Sequence, residues 1–149
     1  MSFSDKYHKV VLYVTTLGLA VYGVMVVFMP EVLAAGFNTF TSQDWVLFQT
    51  GNSIVAAYII LLWRLIGIFN LMAGVALTLI VWRWLQEGNK WSWITLLSGT
   101  VLAYLGPIIT DLTVRSIEIF EVIEFVIFGL FLITMLLVRS RYWTTLDNE

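Results

Sequence analysis

Ile54-Val-Ala-Ala-Tyr-Ile-Ile-Leu-Leu-Trp63-Arg64-Leu-Ile-Gly67-Ile-Phe-Asn70-Leu-Met-Ala-Gly74-Val-Ala-Leu-Thr-Leu-Ile-Val-Trp82 is an apolar run broken by Arg64 and Asn70, and it closes on Arg83-Trp84. As one helix it would measure roughly 43 Å, too long for a single upright span of a hydrocarbon core about 30 Å thick. Counting about 20 residues back from the Trp82-Arg83-Trp84 anchor places the far boundary near Trp63-Arg64. The reading that follows is a membrane span over about 62–85, preceded by a separate interfacial helix over about 44–60.

The rest of the chain fits the same frame. Of its 149 residues, 60% are hydrophobic and 12% charged, half the charge of an average soluble domain. Val10 to Met29 supplies the first span, about 10–29, longer than the core of a signal peptide, and Pro30 closes it. Residues 31–53 are a polar interlude, in which Thr41-x-x-Asp44 before Trp45-Val-Leu-Phe48 reads as a helix start with a capping box. Gln86-Glu-Gly-Asn-Lys90 is a turn, and the third span follows over about 91–109. After Asp111 to Arg115, the fourth span runs over about 116–138 and ends at Arg139 and Arg141. The expected fold is all-α, an integral membrane four-helix bundle in one domain, with the additional interfacial helix between spans one and two.

Basic residues orient it. Four spans put both chain ends and the 86–90 turn on one side, with Lys6, Lys9, Arg83, Lys90, Arg139 and Arg141; Arg64 and Arg115 fall on the other. That bias predicts cytoplasmic termini, in a bacterial or archaeal inner membrane. Gly67 and Gly74, with Gly18 and Gly23, are expected to let helices approach closely. The seven tryptophans mostly sit at the expected interfaces, so an aromatic belt explains them better than a cofactor box.

The fourth span opens with Glu118, Glu121 and Glu124 at three-residue intervals, which spreads them over roughly a third of the helix circumference. Carboxylates at this depth must face protein, water or a partner. Arg64 lies at comparable depth, and Asn70 further in along the same helix. Arg64, Asn70, Glu118, Glu121 and Glu124 are therefore the candidate cluster, either as ion pairs that fix helix register or as a site with a carboxylate left over for proton transfer, cation binding or a lipophilic head group. Without cysteine and with one histidine, His8, the chain offers no disulfide, thiolate metal site or bis-histidine haem. A metal at the cluster is disfavoured because Arg64 would oppose it. A net charge of −2 and the lack of a basic patch argue against nucleic acid. No phosphate loop or nucleophile elbow is present, so no catalytic residue is assigned.

Trp63-Arg64-Leu-Ile-Gly67 with Asn70 and Gly74, in a four-span chain, resembles the DoxX-like group of small membrane proteins. The resemblance covers mainly spans two to four. It implies a four-helix bundle and, from some relatives, a link to quinone-coupled oxidation of sulfur compounds. Small multidrug transporters are similar in size, but their working glutamate lies in the first span, which here is free of charge from Val10 to Met29. The leading expectation is a non-catalytic accessory or assembly subunit of a larger membrane complex, in contact with lipids and other membrane subunits. The alternatives are binding of a lipophilic small molecule, such as a quinone or lipid, or proton-coupled transport through the Arg/Glu cluster. A filled interior fits the first; a cavity near the glutamates fits the others.

Overall fold

The computed structural model describes the backbone of residues 3–87, 90–114 and 119–143, and side chains over 7–83, 90–113 and 121–139. Six α-helices and one 3₁₀ turn follow in order: α1 (Phe3–Phe28), the turn (Pro30–Leu33), α2 (Ala34–Thr41), α3 (Trp45–Gly51), α4 (Ser53–Glu87), α5 (Lys90–Val114) and α6 (Ile119–Trp143). Four of them carry stretches long and apolar enough to cross a membrane: Tyr7–Phe28, Ser53–Arg83, Lys90–Thr113 and Glu121–Arg139. The chain is an all-α, multi-pass membrane protein.

The helices form a four-membered ring in which α1 packs on α4 and α6, and α5 packs on α4 and α6. Contacts fix an antiparallel up-down-up-down order. Gly23 meets Gly67 and Leu71 while Ala20 meets Gly74; Trp93 reaches Met135 and Tyr104 stacks on Phe128. The start of α1 and the end of α6 thus lie at one end of the bundle, called here the terminus end. The opposite end carries the turn, α2 and α3, and is called the cap end.

The α1–α4 seam is the tightest packing. A Cβ on Gly23 would stand 2.7 Å from the Gly67 carbonyl oxygen, and one on Gly67 would stand 2.8 Å from the Val27 nitrogen. Backbones at that separation exclude any side chain, the small-residue packing used where lipid removes the hydrophobic drive between helices. Gly18 takes no part, since nothing lies within 4 Å of its Cβ position.

Two boundaries differ from the sequence reading. The helix expected over 44–60 ends at Gly51, and from Ser53 a single helix of 35 residues continues through the expected break near 61. Leu61, Leu62 and Trp63 carry no breaker, whereas Gly51-Asn52 interrupts the helix at a residue with φ −135° and ψ 52°. At 1.5 Å per residue α4 is about 52 Å long, so it outruns a ~30 Å core even when tilted and projects beyond the span at one or both ends. The polar interlude is also more ordered than expected, being mostly helical from Pro30 to Gly51.

The start of α3 lies where expected, with a different cap. Asp44 is the N-cap and its Oδ1 accepts from the Leu47 N–H at 3.0 Å. Thr41 instead ends α2, its hydroxyl donating to the Phe37 carbonyl, and Ser42 in the left-handed region (φ 55°) turns the chain. Asn38 Oδ1 accepts from the Trp45 N–H at 2.7 Å and so ties α2 to α3. The cap is sealed by rings: Phe37, Phe48 and Trp63 all lie within 6 Å of Trp45, centroid to centroid. Trp45 and Trp93 are buried, so these two tryptophans serve packing and not an interfacial belt.

Candidate functional site

The terminus half is closed. Leu12, Leu19, Leu77, Val81, Trp93, Leu96, Phe131, Met135 and Val138 form its core, with members from all four long helices at helical spacing. Its polar groups are mostly absorbed internally. Trp93 Nε1–H donates to the Met135 carbonyl at 3.1 Å, and the Tyr104 hydroxyl crosses the bundle to the Thr15 carbonyl at 3.0 Å. The hydroxyls of Thr15 and Thr16 donate to carbonyls one turn back.

Towards the cap the bundle opens. On α5 no residue from Leu105 to Thr113 is buried, and on α6 none from Glu121 to Leu130. Sequence explains both. Pro107 has no N–H, so the Ala103 carbonyl loses its helical partner, and α6 carries Glu121 and Glu124 where a packed helix would carry aliphatic side chains. Beside the open part of α5 lies a cleft of about 470 Å³, within the ~300–1,000 Å³ usual for small-molecule sites.

Each wall of the cleft is one helix face. Leu33, Gly36, Phe37 and Phe40 come from the cap; Trp63, Ile66 and Asn70 from α4; Pro107, Thr110 and Asp111 from α5; and Tyr22 from α1. The spacings of three, four and seven residues are those that align side chains on one face of a helix. Most of the lining is apolar or aromatic, with the polar groups of Tyr22, Asn70, Thr110 and Asp111 set among it.

Asn70 is the residue that stands out. It is 9% exposed, and its Nδ2 is buried without a hydrogen-bond partner. Leaving an amide donor unpaired costs about 1–3 kcal/mol. Two other buried polar atoms among the described residues lack partners, Trp45 Nε1 and Thr100 Oγ1, and neither residue lines the cleft.

The candidate residues of the sequence divide here. Asn70 lines the cleft. Glu124 lies seven residues before buried Phe131, within about 20° of it around α6, so it continues the inward face. It is half-buried and within electrostatic reach of Asp111, Glu121, Tyr22 and Tyr104. Glu121 is also half-buried and near Asp111. Arg64 is exposed. Six residues before Asn70, it points about 120° away around α4. Glu118 and Arg115 lie outside the described residues. Among the described residues no group of three His, Asp or Glu is placed to hold a metal ion.

Sequence reasoning missed Tyr22, Thr110 and the aromatic cap as parts of one site, and it placed Asp111 only in the connection between the third and fourth spans. The available signal was local: Trp63/Ile66/Asn70 and Pro107/Thr110/Asp111 each share a helix face. What could not be read was that those two faces meet.

Fold and cleft together define a small multi-pass membrane helix bundle with a ligand-sized recess at its capped end. No family model, no curated protein and no solved structure matches the chain.

Proposed function

We propose that this protein binds a lipophilic small molecule with a polar head group in the cap-end cleft. The observation that carries the reading is Asn70, which lines a cleft of about 470 Å³ and whose buried Nδ2 has no hydrogen-bond partner. A donor held in that state in a low-dielectric bundle is stabilised by an acceptor on a ligand. Aromatic walls suit a hydrocarbon or ring body, and the acidic groups favour a polar end at Asp111. The six-to-two bias of basic residues supports cytoplasmic termini, which puts the cleft at the outer leaflet. The DoxX-like resemblance includes Asn70 itself and agrees with a lipophile as the ligand.

Accessory-subunit function is the second reading. It is favoured by the low internal burial of α5 and α6, whose spanning segments are each only 22% buried. Lipid covers such faces as well as a neighbouring subunit would, so this observation weighs less.

Gentle extraction followed by native mass spectrometry tests both. The binding reading expects a lipophile retained in about one copy per chain and lost in Gly36→Leu. Gly36 lines the cleft and has no atom within 4 Å of its Cβ position, so the leucine fills the ligand's space without a clash at Cβ. Stoichiometric foreign subunits with no retained lipophile would overturn it in favour of the accessory reading.

A further inference from the structure

The lining of the cleft combines an orphan donor with an acid. Asn70 supplies a buried N–H with no acceptor, and Asp111 supplies a carboxylate. Among the described residues no lysine or arginine lines the cleft, and Arg64 is exposed. Glu121 and Glu124 stand close enough to Asp111 for their charges to act on it, which deepens the negative potential. Tyr22 and Trp63 add aromatic lining, whose ring faces attract cations.

These groups discriminate between head groups. A neutral head bearing only carbonyl oxygens satisfies Asn70 but sets acceptor against acceptor at Asp111. An anionic head adds repulsion. A protonated amine supplies donors and charge to Asp111, and an oxygen a few bonds away accepts from Asn70 Nδ2–H. An ammonium needs one carboxylate, whereas a metal ion needs a ligand set that the described residues do not assemble.

We propose that the cleft is selective for a cationic amphiphile, one whose head carries a protonated amine next to a hydroxyl or carbonyl oxygen, with Asp111 receiving the amine and Asn70 the oxygen. The proposal rests on the lipophile-binding reading and names the ligand class for the same site.

Three dodecyl-chain probes separate the contributions: the vicinal amino alcohol, the vicinal diol and the plain amine. Binding is followed by tryptophan fluorescence in phosphatidylcholine nanodiscs, with empty discs correcting for partition. The amino alcohol is expected to bind at least about tenfold tighter than the diol, a factor worth about 1.4 kcal/mol. Asp111→Asn should erase that preference, and Asn70→Leu should erase the preference over the plain amine. Nanodiscs doped with phosphatidylethanolamine separate two sources of the same chemistry. Competition with the amino alcohol supports a lipid head group, and its absence supports a free amphiphile.

Equal binding of amino alcohol and diol by the wild-type chain would overturn the cation selectivity while leaving lipophile binding intact. If none of the three binds and native extraction yields no lipophile, the underlying reading fails with it. The wild-type comparison decides the question even if a variant does not fold.

Discussion

The two halves of this bundle are built from the same four helices and come out differently. At the terminus end each long helix turns a stripe of aliphatic or aromatic side chains inward, and the stripes meet at Phe131, Met135, Leu96 and Leu12. At the cap end α1 and α4 stay pressed together through Gly23 and Gly67, while on α5 and α6 no described residue is fully buried. The change comes at Tyr104, stacked on Phe128 with 5.3 Å between ring centroids and bonded across to Thr15. Below it the interior is filled; above it Pro107, Asp111, Glu121 and Glu124 take the places of packing residues. α1 and α4 therefore act as a spine through both halves, whereas α5 packs in one half and forms a wall of the cleft in the other.

The contrast can be broken most severely at the spine. Gly67→Leu or Gly74→Leu drives a side chain into the α1 backbone, and the expected outcome is loss of a monodisperse peak in size-exclusion chromatography. Gly18→Ala, with open space at its Cβ position, should elute as wild type. Next in size is the closed half: Phe131→Ala should cost about 3–5 kcal/mol in reversible unfolding, because the fully buried ring leaves a cavity. At temperatures where that variant stays folded, its retained lipophile should match the wild type, since the cavity lies away from the cleft.

Smaller effects belong to the cap end. Asp44→Ala removes the N-cap of α3 and should lower stability by about 1 kcal/mol, visible as faster hydrogen exchange over residues 45–51. Gly36→Leu should change stability least, by about 0.5–1 kcal/mol in the stabilising direction from helix propensity, while abolishing lipophile retention. A large loss of stability in Gly36→Leu would mean that the cap end is packed as tightly as the terminus end, and the contrast between halves would go.

Much of the architecture was legible because membrane insertion imposes long apolar runs and small-residue seams. Four spans could be read from hydropathy, and Gly23, Gly67 and Gly74 from their setting in apolar helices. The break expected near residue 61 came from matching length to bilayer thickness, yet nothing local forces a helix to end where the membrane does, and α4 continues. The site was legible in fragments. Asn70 and the glutamates are conspicuous as polar residues in apolar sequence. Grouping Arg64 with Asn70 took no account of rotation around α4, which turns Arg64 about 120° away from Asn70, and a long side chain there can reach polar surroundings. Asp111 and Tyr22 could not be assigned to the site, because their convergence depends on how four helices are rotated about their axes. Periodicity fixes each face but not which faces meet.

The central claim is that Asn70 is held unpaired for a ligand and not for the fold. Asn70→Leu in nanodiscs tests it most directly, by thermal unfolding and native mass spectrometry on the same sample. With the lipophile stripped from a portion of each sample, the unpaired amide costs stability, so the leucine variant should unfold at the higher temperature, by an amount corresponding to about 1–3 kcal/mol, and the unstripped variant should retain no lipophile. A lower unfolding temperature with the lipophile still bound would contradict the account and make Asn70 a structural residue.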